Sequence, residues 1–184
     1  MEQNANTAAD DAEQTAESSI PTAGRTIVRT LPACAVAAIG IPLVGWFLPP
    51  DSADGVPWEL LTVFAALGLM LAVHHLTKAP RPRFDKKVPR AQWTRAHDSA
   101  AKSGVLPSMT GMRITAGVAA CSTIEGFMAL FAVLLGALLG ELVRPDLSWL
   151  LPVSGALGAA TVFAFRLRPS WSYLHVLHSN AQAR

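Results

Sequence analysis

The chain has 184 residues, 51% of them hydrophobic, with a formal net charge of +2 and a mean hydropathy of +0.34. That length suits one domain, and that apolarity exceeds the ordinary soluble range and matches a polytopic membrane protein. So small a net charge gives no electrostatic footprint for nucleic acid, and no such partner is expected.

Residues 1–24 hold five acids and no Lys or Arg. They carry too little apolar surface to offset the entropy of ordering, so 1–24 is expected to be a disordered acidic tail. A cleaved signal peptide is not expected, because a polar lead comes first and the apolar run behind it exceeds a signal core.

Four apolar runs follow, at about 26–48, 58–77, 114–143 and 147–165. A bilayer core of about 30 Å needs roughly 20 helical residues. The first run contains Pro32 and Pro42, and Pro42 predicts a kink and a freed carbonyl. The second begins behind Pro57, which suits a helix start. The third is longer than one bilayer needs, so it either tilts or begins as an extension outside the hydrocarbon. The fourth has Pro152 near its start. None shows the polar stripe of a soluble helix or the alternation of a barrel strand. The expected fold is therefore all-α: a polytopic membrane protein with four transmembrane helices in two hairpins, spanning 25–168. A basic loop, 78–113, joins the hairpins. Within it residues 90–102 suit a short surface helix. The tail 169–184 reads either as an interfacial helix or as a frayed end.

Orientation follows from the basic residues. Of the 15 Lys and Arg residues, all but Arg144 fall in the loop 78–113 or at the ends facing the same side. The other connections carry Asp51, Asp54 and Asp146. Basic segments stay inside, so both termini are expected to be cytoplasmic in a bacterial inner membrane. Trp46, Trp58 and Trp149 are expected at the outer interface, with Trp171 and Tyr173 at the inner one.

The third run holds one carboxylate, Glu125. Residues three and four apart share a helix face, so Glu125 shares one with Cys121, Ser122, Ala129, Ala132, Gly136 and Gly140. Small stripes are where membrane helices approach closely, so this one is expected to be a packing seam. Glu125 on it is a candidate proton- or cation-binding group, or a hydrogen-bonded packing residue. Depth suggests a partner. Glu125 lies 16 residues, ~24 Å of helix, from Glu141, and His75 lies ~26 Å from Trp58. His75, on a small face with Ala65, Gly68 and Ala72, is the expected partner. Arg81, Arg83, Lys86, Lys87 and Arg90 are candidates for anionic lipid headgroups. Cys34 and Cys121 read as small hydrophobes without a disulfide. His175 and His178 form an HxxH pair, but no metal or cofactor is expected from so few histidines.

The stretch "STIEGFMALFAVLLG" resembles the carboxylate helix of the rotary ATP synthase c subunit, which has a glutamate among small residues. That resemblance implies a proton-binding role for Glu125. The family's glycine-rich partner helix has no counterpart in the other runs. More broadly the chain is similar to small four-span bacterial inner-membrane proteins with a glutamate in the third span. No phosphate loop, nucleophile elbow or kinase signature is present. Three functions stay open: a structural or accessory subunit that binds other membrane proteins or itself, a proton- or cation-linked transporter using Glu125, and a lipid-modifying enzyme at the cytoplasmic interface.

Overall fold

A computed structural model describes residues 15–47, 58–78, 81–82 and 88–182, apart from the side chains of 58, 59 and 182. All regular structure among them is helical. The labelled helices are α1 (Ala23–Phe47), α2 (Trp58–Thr77), α3 (Arg90–Ser103), α4 (Thr110–Val143) and α5 (Leu150–Gln182). Residues 15–18 add a short helical turn. Four helices are long and apolar enough to cross a membrane: α1, α2, α4 and α5.

The helix ends follow local chemistry. Alanine and leucine are the commonest residues of the helices, and these lose little rotamer freedom in a helix. α3 starts behind Pro89 and stops at Gly104, whose φ of 71° only glycine adopts without strain. The Gly104 N–H donates to the carbonyl of Ala100 and closes the last turn. α1 runs unbroken through Pro32 and Pro42, and α5 through Pro169. Proline lacks an N–H, so each leaves one carbonyl four residues back without its helical donor.

The chain divides into two compact units. The first comprises Met1–Thr26, Ala79–Ile124 and Arg166–Arg184. Its centre is the start of α4, where residues 114–121 are all buried. A helix hydrophobic on every side must be enclosed on every side. Arg113 ties the unit together. Its guanidinium donates to the Glu17 carboxylate at 3.0 and 3.2 Å, to the Pro107 carbonyl at 3.3 Å and to Thr110 Oγ1 at 3.1 Å. The Tyr173 hydroxyl donates to the Arg113 carbonyl at 3.1 Å, and its ring stacks on His97 at 5.1 Å between centroids. Ile20 is fully buried, and the Cys121 thiol lies 3.7 Å from the Pro21 carbonyl.

This unit departs from the expected tail boundaries. Residues 1–14 lie outside the described region, but Ile20, Pro21 and Ala23 of the acidic tail are buried. Ile20 supplies the apolar anchor and Glu17 the ion pair with Arg113. At the other end α5 continues to Gln182 in place of a separate tail from 169. Ser170, Tyr173, Leu174 and Leu177 give it a buried face. Tyr173 is enclosed by the first unit.

The second unit comprises Ile27–Lys78 and Glu125–Phe165. Its core draws small residues from all four long helices: Ala33 and Ala37, Ala66, Ala132 and Ala137, and Ala156, with Ile41, Met70 and Trp149 filling the space between. Small side chains let backbones approach, which is how helices associate without a hydrophobic driving force between them. A Cβ on Gly136 would lie 2.6 Å from the Ala37 carbonyl oxygen, so α1 and α4 touch through their backbones there.

Candidate functional site

Glu125 is the first residue of the second unit's share of α4, and it is 7% exposed. Helix α2 delivers a histidine to it, and that histidine is His74. His74 Nε2 stands 3.6 Å from Glu125 Oε2, an ion-pair distance slightly longer than a hydrogen bond. His75, the expected partner, points away and is exposed. The reason is angular. Consecutive helical residues differ by about 100°, so similar depth did not decide which of two adjacent histidines faces inward. The face of α2 that packs is Thr62, Ala66 and Met70, and His74 continues it at i+4. The small face Ala65, Gly68, Ala72 and His75 is exposed.

His74 is partly exposed, and its Nδ1 is buried without a hydrogen-bond partner. Phe163 of α5 lies over Gly126, where an added Cβ would come within 2.6 Å of the ring. A carboxylate and an imidazole at this distance stabilise each other's charged forms, or share a proton. Beyond Glu125 the seam is apolar. Ala132, Gly136 and Gly140 are buried and Ala129 half-buried. Ser122 is exposed and lies off the packed face, while Cys121 is buried within the first unit.

The far end of the second unit holds a clasp that sequence reasoning did not find. Arg144 grips Asp146 through two hydrogen bonds, 2.8 Å from Nε and 2.6 Å from Nη2. Its Nη1 donates to the Gly45 carbonyl of α1 at 3.2 Å. The guanidinium holds the Asp146 carboxyl below its ordinary range, and the carboxylate raises Arg144. The Trp149 indole N–H donates to the Arg144 carbonyl at 3.1 Å. Its ring is 1% exposed and fills the space left by Gly45 and Gly140. Trp149 is thus a buried plug of the second unit's core, whereas Trp46 is exposed. The signal was Arg144 itself, the one basic residue on its side of the chain.

Among the headgroup candidates, Arg81 is half-buried and Arg90 exposed; Arg83, Lys86 and Lys87 lie outside the described residues. Among the described residues no group of three His, Cys, Asp or Glu side chains is placed to hold a metal ion. No family model, no curated protein and no solved structure matches this chain.

Proposed function

We propose that the chain is a four-span integral protein of a bacterial cytoplasmic membrane, with both termini and the loop 78–113 in the cytoplasm. It serves as a structural or accessory subunit that associates with other membrane proteins or with itself. One observation carries this reading. Among the described residues, every exposed large apolar side chain except Val105, Met109 and Trp171 belongs to the second unit. A surface of that kind is stable in hydrocarbon or against another apolar surface, and not in water. The basic residues favour the orientation, since 14 of 15 fall on one side. Exposed Arg90, Arg95, Lys102, Arg166 and Arg168 suit anionic headgroups at that side.

Within this reading Glu125 and His74 hold α4 against α2. The buried pair also favours a second reading, a proton- or cation-linked carrier. The apolar seam beyond Glu125 weighs against it, because a translocated ion needs polar partners along its whole path. Reconstituted vesicles separate the two. Under an imposed pH, sodium or potassium gradient, the structural reading expects ion flux equal to that of protein-free vesicles. A flux above that level, lost in Glu125→Gln, establishes the carrier instead.

A further inference from the structure

The first unit contains a histidine with both ring nitrogens at hydrogen-bond distance from backbone carbonyl oxygens. His178 Nδ1 lies 2.8 Å from the Leu174 carbonyl oxygen, one turn back in α5. His178 Nε2 lies 3.0 Å from the Ile20 carbonyl oxygen in the N-terminal segment. A carbonyl oxygen only accepts, so both ring nitrogens must donate. Neutral imidazole has a single N–H. In that form one lone pair would face an oxygen at 2.8 or 3.0 Å, and one of the two contacts would be repulsive. Imidazolium has two N–H groups and satisfies both.

The geometry points to His178 as a proton-binding site that, in its cationic form, latches residues 15–22 onto α5. The proton arrives from solvent through a small open cavity whose lining includes Glu17, Ser18, Leu106, Leu177, His178 and Asn180. Several charged or titratable groups surround the site. The N-terminal segment contributes Glu17, which lines the same cavity and is ion-paired to Arg113 of α4. On α5, His175 is exposed and Tyr173 is buried against the Arg113 carbonyl. On α3, His97 is buried beside Asp98, with Lys102 exposed. Arg25 at the start of α1 is exposed.

Losing the second proton removes one of the two hydrogen bonds and leaves a lone pair against a carbonyl. The Nδ1–H tautomer keeps the shorter contact, to Leu174, and turns the Nε2 lone pair onto the Ile20 carbonyl, so the contact between separate segments is the one that opens. Latch closure and proton uptake are then linked, and the closed population falls as pH rises. The latch needs no assumption about how the chain is threaded through a membrane.

Two measurements on the full-length protein in lipid nanodiscs test this. Nitrogen-15 imidazole NMR reports both protons directly, and at acidic pH His178 should show two protonated nitrogens. Spin labels at Ser19→Cys and Ser179→Cys, both exposed positions, report closure. The short, narrow distance at acidic pH should broaden and lengthen as the pH rises. His178→Gln, which offers an amide donor and does not titrate there, should give one distribution at every pH. A neutral His178 at acidic pH with the short distance retained overturns the proposal. So does a wild-type distance that ignores pH, or a pH response that persists in His178→Gln.

Discussion

Glu125 is kept inside an apolar bundle because its carboxylate has a partner on the facing helix. His74 stands at ion-pair distance, 3.6 Å, so the group is not stranded. Stranding is what costs free energy, roughly 1–3 kcal/mol for a buried polar group left without its partner. Glu125→Ala should therefore lower stability by about that amount, since His74 would be left facing methyl groups. Glu125→Gln keeps the shape and a donor, and should lose less than half as much. His74→Ala should cost about as much as Glu125→Ala, and the double mutant no more than the larger single, because the two residues act as a unit. His75→Ala should leave the melting temperature in detergent unchanged. An additive double mutant, or an effect at His75 equal to that at His74, would show that the pair is not the interaction that matters.

At the scale of helices, the contact between α1 and α4 sets the spacing of the second unit. A Cβ at Gly136 would meet the backbone oxygen of Ala37, and backbone cannot swing aside as a flexible side chain does. Gly136→Ala should then destabilise by about 1–3 kcal/mol, the usual range for overpacking a tight interior. Gly68→Ala, at an exposed position of α2 with open space around it, should be neutral or slightly stabilising. A melting temperature that falls equally for both would contradict the close approach. The long helices were legible from sequence because hydrocarbon demands length and apolarity, and the runs 58–77 and 114–143 show both openly. Gly136 and Gly140 on the seam were legible as well, through their four-residue spacing. The choice between His74 and His75 was not, because helix rotation is set by packing with neighbours that a single sequence does not reveal. The burial of Trp149 was not legible for the same reason. An aromatic near a helix end suits an interface, and only Gly45 and Gly140, distant in sequence, make the hole it fills.

Across the whole molecule, two different surfaces belong to one chain. The second unit exposes leucine, valine and phenylalanine, while the first exposes arginine, lysine, serine and asparagine around a buried centre. The third apolar run is longer than a bilayer requires for that reason. Residues 114–121 of α4 are enclosed by protein in the first unit, and Glu125–Val143 belong to the second. Composition does not separate these cases, since a segment is equally apolar whether protein or lipid surrounds it. The basic surplus in 78–113 and at the helix ends hinted at the division, and the burial of Ile20, Pro21 and Ala23 lay beyond it. The direct test is cysteine accessibility in intact cells. Single cysteines would replace Ser148, Ser99, Ser179 and Leu138, with the buried native Cys34 and Cys121 as the background control. A membrane-impermeant maleimide should label the Ser148 position from outside. It should label the Ser99 and Ser179 positions only after permeabilisation, and the Leu138 position in neither condition. Labelling of Ser99 or Ser179 in sealed cells, or of Leu138 by the aqueous reagent, would contradict the account.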